Sequence, residues 1–529
     1  MQVEGFDTTV LNYINEIKKD YEHQIHKLQS EVINYQNKYL EMKERFDLLV
    51  YQRYARSAER LPVDEKQQLL FAEEPEQETQ IQADTSADEK QEIKSYTRKK
   101  PGRKPIDPNL PRRENIIDIP EAEKTCACGS QMTKIGEETS EKVEIIPPSM
   151  YVLKTIRPKY ACRSCEGTED EEKPAVRIAP VPPAIIPRSI ASASLLSYVM
   201  IQKYQDHLPF YRQEVQFQRI GIEISRQDMS NWQQQIYGKL KPLYELLKET
   251  LKSGPVIQMD ETEVQVMGEE GRSDTQKSYM WLALGGPPNK PVVLYEYRRT
   301  HDAKQAKEIL SGYSGYLQTD GYKAYDTAVK GNSGIIQVGC FAHARRKFFE
   351  ASKSTTKPQS AEEGIKHIRK LYHLEDELRD KSLDEEVFLS ERKARAGPIL
   401  EQFKRWLEKR AIEVLPSSLL GKAVGYSLGQ WDKMIAYLES HYLTPDNNAC
   451  ENAIRPFVLG RKNWLFNKSP EGAESSCGMF SLIETSKQNG LEPLLYLREL
   501  FEKAPRVIYD DASTHEDWEK LLSWNIFTA

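Results

Sequence analysis

The sequence predicts a multidomain α/β protein. A mixed α/β core, split by a helical insertion, follows a coiled coil, a cysteine-bearing β unit and a helical domain. Three observations predict this. Between Gly254 and Tyr325, β-branched and aromatic runs bounded by Gly and Pro lay out three strands, a helix and a fourth strand. From Val10 to Leu49, apolar residues recur in alternating steps of three and four. Two cysteine pairs, Cys126 with Cys128 and Cys162 with Cys165, flank a segment that alternates like a strand.

Composition sets the bounds. A chain of 529 residues has room for three or more domains, and a hydrophobic content of 39% leaves part of it extended or solvated. No run is apolar enough to span a bilayer, and Met1 to Gly5 lacks the order of a secretion signal, so a cytoplasmic, nucleoid-associated protein is expected. Seven cysteines, four of them clustered, fit metal or free thiols better than disulfides. The net charge of -6 does not announce a nucleic-acid binder, but its distribution does. Acid concentrates between Glu73 and Glu92 and between Glu166 and Glu172. Basic residues cluster at Arg98 to Lys104, Arg345 to Lys347 and Arg461-Lys462.

Residues 7–56 read as a coiled coil. The seam runs through Ile17, Tyr21, Ile25, Leu28, Val32, Tyr35, Tyr39, Met42 and Phe46, with one slip near Tyr21–Ile25 that would locally unwind a supercoil. A parallel homodimer or higher assembly explains so narrow a stripe; a helix folded onto its own protein would show a broader one. Residues 62–118 form a linker, acidic and Gln-rich at first. Its basic strip around Arg103 and Lys104 could lie in a minor groove like an AT-hook, or simply be solvated. Residues 119–173 form a β unit in which Cys126, Cys128, Cys162 and Cys165 offer four thiolates to one structural Zn²⁺; four buried thiols are the alternative.

A Pro-rich connector, Pro174 to Pro187, leads to residues 188–252, helical by period. Within them a helix, a turn at Gly221, an N-cap at Ser225 and a helix from Arg226 to Lys239 resemble a helix-turn-helix. Arg226, Gln227 and Asn231 then lie where base contacts are made. A helical hairpin packed on the core fits the same pattern.

The core occupies residues 254–352 and resumes at 444–508, with closing helices. Residues 353–443 form the helical insertion, because Asp320 and Glu451 are farther apart than a compact core requires. The order of strands is that of an RNase H-like core, in which the first and fourth strands lie side by side. Asp260 ends the first run and Asp320 the fourth, so the two carboxylates would face each other. Such a pair repels unless cations sit between, and two hard divalent ions with oxygen ligands suit in-line attack on a phosphodiester. A third acid should come from a late helix. Glu451, after Asp446-Asn447-Asn448, is preferred to Glu471 and Glu474, which follow a loop-like turn. Cys340 and His343, three apart, form at most a metal half-site; a structural or DNA-positioning role is expected. Arg345, Arg346, Arg455, Arg461, Lys462 and Trp464 are candidate DNA contacts.

Met259-Asp260-Glu261-Thr262, Gln318-Thr319-Asp320-Gly321-Tyr322, Cys340-Phe341-Ala342-His343 and Asp446-Asn447-Asn448 through Arg461-Lys462-Asn463-Trp464 together resemble the DDE transposases of bacterial insertion sequence family 66. The resemblance spans nearly the whole chain. It implies Asp260, Asp320 and Glu451 as the catalytic, metal-binding triad, two Mg²⁺ ions with Mn²⁺ as a substitute, a zinc-binding motif and a zipper-like segment. It implies DNA transposition: cleavage at element ends and strand transfer into target DNA, with accessory proteins from the same element as possible partners. The alternatives are an inactive, transposase-derived DNA-binding protein and an RNase H-like structure-specific nuclease.

Overall fold

The computed structural model describes residues 8–54, 150–161, 176–354 and 358–527. The four zinc-ligand candidates and the basic strip with Arg103 and Lys104 lie outside these residues. Contacts divide the chain into two units, residues 76–181 and the remainder.

In the first unit, β1 (Lys159–Ala161) pairs antiparallel with β2 (Val176–Ile178). Two expectations change here. Among the described residues before Cys162, only the last three form a strand. Its partner comes from the Pro-rich segment, expected to be a plain connector, and the pairing extends only from Val176 to Ile178.

The second unit opens with α1 (Thr8–Tyr54), unbroken as its period predicts. Leu28, Val32, Tyr35, Tyr39, Met42, Phe46 and Leu49 are each more than half exposed, so no other described residue covers this apolar seam. Only the last turns engage the rest of the unit. Glu44 accepts from the backbone N–H of Leu419, Glu41 pairs with Lys422 at 3.5 Å, and Lys353 lies over Tyr51.

Four helices follow: α2 (Ala193–Tyr204), α3 (Phe210–Arg219), α4 (Arg226–Lys239) and α5 (Lys241–Lys252). Gly221 turns the chain between α3 and α4 at φ +79°, a conformation that favours glycine. Ser225 caps α4 in a reciprocal box with Asp228, which fixes where the helix starts.

The sheet is built from β3 (Val256–Val266), β4 (Lys277–Gly285), β5 (Val292–Arg298), β6 (Gly315–Gln318) and β7 (Ile335–Val338), in the order β5-β4-β3-β6-β7. The first three strands are antiparallel, and β6 and β7 add in parallel. Helices α6 (Ala303–Ile309) and α7 (Lys323–Val329) connect the later strands. The first and fourth strands are neighbours, as the sequence order implies. The first is longer than expected. It continues past Asp260 because Val264 and Val266 bury their side chains while Glu263 and Gln265 stay exposed, and β4 pairs with it as far as Gln265.

After β7 come α8 (Phe341–Ser354), α9 (Gln359–Asp380), α10 (Glu385–Glu413), α11 (Leu419–Gly429) and α12 (Trp431–Ile435). Helices α9 to α12 are the insertion and form, with α8, a second apolar core. Its polar centre is Arg392, fully buried. Arg392 pairs with Glu375 at 2.5 Å and donates to the carbonyls of Tyr437, Ser440 and Leu443, so its charge is matched and hydrogen-bonded.

The chain returns through α13 (Asn448–Trp464) and β8 (Phe466–Asn467), which pairs with the far end of β3. Helices α14 (Pro470–Gln488), α15 (Pro493–Ile508) and α16 (His515–Glu519) close the unit. Helix α14 is rich in small residues and lies against β5, the edge strand. Thr485 Oγ1 accepts from the Val293 N–H and Ser481 Oγ from the Tyr295 N–H, so hydroxyls on a helix satisfy edge donors that would otherwise invite another strand. The same helix carries α2 and α4: Tyr204 meets Ser476 at 3.0 Å, and Gln233 donates to Ser475 at 2.6 Å.

Candidate active site

The site is set by register. Strands β3 and β6 pair in parallel up to Gln258 opposite Gln318. Asp260 and Asp320 each lie two residues beyond that last pair, so the two residues sit at one level along β3 and β6. Beyond β6 the chain turns at Asp320-Gly321-Tyr322. Gly321 sits at φ +87°, and a Cβ there would come within 3.2 Å of Tyr426 and Gln430, so the turn has no room for a side chain. Asp320 Oδ1 accepts from the Tyr322 N–H, and the Asp320 carbonyl accepts from the Tyr426 hydroxyl at 2.6 Å.

Glu451 enters from the first turn of α13. The two glutamines hold that helix in place. Gln258 donates to Gln318 at 2.8 Å, Gln318 donates to the Thr444 carbonyl at 2.7 Å, and the Cys450 N–H donates to Gln258. Asn447, fully buried, donates to the Met259 carbonyl at 3.0 Å. Sequence reasoning missed Gln258, Gln318 and Asn447 as positioning residues. The signal was a buried-strand glutamine two positions before each aspartate, in Gln258-Met259-Asp260 and Gln318-Thr319-Asp320.

Charge is crowded here. Burial pushes Asp260 up to about 7, helped by the charges of Glu261, Glu451 and Asp320. Burial also lifts Glu261 to about 7, although the Tyr325 hydroxyl donates to it at 2.6 Å. Asp320 and Glu451 are raised by burial too, with Arg346 opposing in both. Arg346 donates to Glu451 Oε2 at 3.1 Å, while Glu451 Oε1 is buried without a hydrogen-bond partner. Several half-buried carboxylates, one with an unsatisfied oxygen, are what hard divalent cations with oxygen ligands relieve.

His343 and Cys340 adjoin this cluster. His343 Nδ1 is 3.6 Å from Glu451 Oε1, and burial with Arg346 and Lys347 lowers its imidazole to about 4. The contact is therefore one of a neutral ring with a carboxylate. Of the structural or DNA-positioning role expected for His343, the packing favours the structural one: the first turn of α8 sets it beside Glu451. Arg346 likewise is engaged with Glu451. The expectation for Trp464 is corrected. Its ring meets Tyr204 and Phe480 edge-on or tilted and covers Gly460, where a Cβ would strike it, so it belongs to the core. Arg461 donates to Thr262 at 3.3 Å, while Arg455 and Lys462 are exposed on α13. Arg345, on α8, is half-buried. Arg226, Gln227 and Asn231 are exposed at the start of α4, whose Met229, Trp232 and Ile236 are buried. Glu471 and Glu474 are exposed on α14, outside the cluster.

Comparison with known proteins fits this site. A family profile described as transposase IS66 family matches residues 188–475. The chain belongs to the IS66 transposase family. Further IS66 profiles match on either side: the zinc-finger binding domain of transposase IS66 at 123–166 and the IS66 C-terminal element at 481–524. A profile described as transposase C of IS166 homeodomain matches 41–114. Two proteins of Sinorhizobium fredii (strain NBRC 101917 / NGR234) are similar over most of their length. The uncharacterized protein y4jD is 33% identical over 79% of this chain and 80% of its own. The uncharacterized protein y4qI is 32% identical over 80% and 77%. Among the described residues of this IS66 chain, no helix is long and apolar enough to cross a membrane.

Proposed function

We propose that this IS66 transposase cuts DNA at the ends of its insertion sequence and joins them to target DNA, using Asp260, Asp320 and Glu451. The observation that carries this reading is the meeting of three carboxylates from two adjacent parallel strands and a returning helix. The sheet order, three antiparallel strands followed by two parallel ones, supports an RNase H-like core.

The donor set fits two Mg²⁺ ions, with Mn²⁺ a substitute: the ligands are hard oxygens, and Glu451 Oε1 lacks a partner. When bound, such ions supply Lewis acidity at the attacking and leaving oxygens of a phosphodiester. The chain's own residues do the positioning. Asp260 feels the charges of both Asp320 and Glu451, and the Gln258–Gln318 bond ties β3 to β6 two residues before the aspartates. Arg346 holds Glu451 Oε2 and offers the site its nearest positive charge.

The DNA surface would combine the exposed start of α4, with Arg226, Gln227 and Asn231, and the basic residues Arg345, Arg455, Arg461 and Lys462. Arg103 and Lys104 would add backbone contacts. The zinc-finger match supports Cys126, Cys128, Cys162 and Cys165 as ligands of a structural Zn²⁺. The bare seam of α1 supports pairing of two protomers, which would bring two element ends together. Accessory proteins from the same element would be further partners.

The test uses purified protein, Mg²⁺ and labelled duplexes taken from the DNA flanking the gene, against scrambled duplexes. Nicking or joining confined to the flanking duplexes is expected. Equal cutting of scrambled DNA would refute end recognition, and binding without Mg²⁺-dependent cutting, with the neighbouring gene products added, would refute catalysis.

A further inference from the structure

Cys340, His343 and Glu451 each offer a ligand atom, and the three atoms lie within 4.8 Å of one another. Cys340 immediately precedes α8 and His343 is three residues on, a spacing that places both on one side of a helical turn. Glu451 reaches them from α13. His343 Nδ1 and Glu451 Oε1 are both buried and lack hydrogen-bond partners. They face each other at 3.6 Å. Buried, adjacent and without a hydrogen bond, these two atoms are ones that a cation between them would satisfy. The third atom, Cys340 Sγ, is fully buried and accepts the Asn447 N–H at 3.3 Å, the kind of bond that steadies a metal-bound thiolate.

We propose that Cys340, His343 and Glu451 form a second metal site, for a borderline-soft divalent cation of the Zn²⁺ type. One thiolate, one imidazole and one carboxylate make the mixed S, N, O set that Zn²⁺ and Co²⁺ take and Mg²⁺ avoids. Tetrahedral Zn²⁺ spaces its ligand atoms about 3.3–3.8 Å apart, so the observed triangle closes by roughly 1 Å at its widest. Three protein ligands leave a fourth position for water. As the Sγ–metal bond forms, the Cys340 thiol proton passes to solvent.

The site shares Glu451 with the acidic cluster. Arg346 occupies Oε2 and leaves Oε1 to the imidazole side. An ion held there takes up Glu451 Oε1, the oxygen that an ion shared with Asp260 and Asp320 would use. Zn²⁺ at this site is thus an inhibitor of Mg²⁺-dependent cutting, a consequence that rests on the catalytic role proposed for Glu451. The binding itself does not.

The test is a Co²⁺ titration of the full-length protein followed by absorption, with atomic metal analysis. Other cysteines contribute equally to wild type and variants, so the difference carries the result. Wild type should bind one more equivalent than Cys340→Ala and than His343→Ala, and the difference spectrum should show a thiolate-to-cobalt band. His343 is less buried than Cys340, so His343→Ala, checked by circular dichroism, keeps the test valid if Cys340→Ala misfolds. Asp260→Asn should retain the extra equivalent and its band. Equal stoichiometry in wild type and His343→Ala would overturn the proposal, as would loss of the band in Asp260→Asn, which would place the ion among the aspartates. Absence of DNA cutting alters none of these readouts.

Discussion

Replacing Asp260 by Asn should stabilise the metal-free protein. In the fold, Asp260 loses its proton near pH 7, against an ordinary value of 3.8. Between those values the native state holds a proton that the unfolded chain has released, so stability falls as pH rises through this window and is level above it. A gap of about three units corresponds to at most about 4 kcal/mol. Asn is close in shape and carries no charge, but its amide needs acceptors, so a gain of about 1–3 kcal/mol at pH 8 is expected. Glu261 titrates over the same range, and the transition belongs to the pair. The assay is denaturant unfolding of wild type and Asp260→Asn in EDTA from pH 4 to pH 8. The variant's advantage should be small at pH 4, grow to pH 7 and then hold. Mg²⁺ at ten times its dissociation constant should then return about 1.4 kcal/mol to wild type alone. A variant less stable than wild type at pH 8 in EDTA, or an advantage independent of pH, would refute the reasoning.

Three other substitutions probe the scaffold. Arg392→Ala removes the fully buried partner of Glu375, which keeps Arg379, and takes a donor from the Tyr437, Ser440 and Leu443 carbonyls; it should cost about 3 kcal/mol, read by denaturant unfolding or by proteolysis within residues 358–443. Gly364→Ala drives a methyl to 2.8 Å from the Phe348 ring and should cost about 1–3 kcal/mol by loosening α9 from α8, seen as a lower melting temperature. Trp464→Ala should cost about 3–5 kcal/mol in unfolding experiments, yet leave DNA affinity unchanged where the variant is folded; a selective loss of binding would restore the DNA-contact reading.

The sheet was legible because its strands are short apolar runs set between Gly and Pro, and no other pairing buries them. The length of β3 was hidden: Thr262, Glu263 and Gln265 look loop-like, and only the alternation with Val264 and Val266 marks the hairpin extension. The start of α4 could be read from Ser225 and Asp228, since a capping box is local chemistry. A matched glutamine two positions before each aspartate marked Gln258 and Gln318, but nothing local gave their bond across two strands or the docking of α13 through Asn447. Those contacts join residues distant in sequence. Trp464 was misjudged, and the role of His343 left open, for the same reason. Their chemistry suits nucleic acid, but packing turns one toward Glu451 and the other toward Tyr204 and Phe480. The seam of α1 was plain in the sequence, and among the described residues it stays exposed.

The most direct measurement is Mg²⁺-dependent cutting of end-bearing duplexes by wild type, Asp260→Asn, Asp320→Asn and Glu451→Gln, with Glu471→Gln and Glu474→Gln as controls. Each protein should bind the duplex, and the first three variants should lose cutting while the two controls keep it. Cutting retained by Glu451→Gln, or lost in either control, would contradict the assignment of the site.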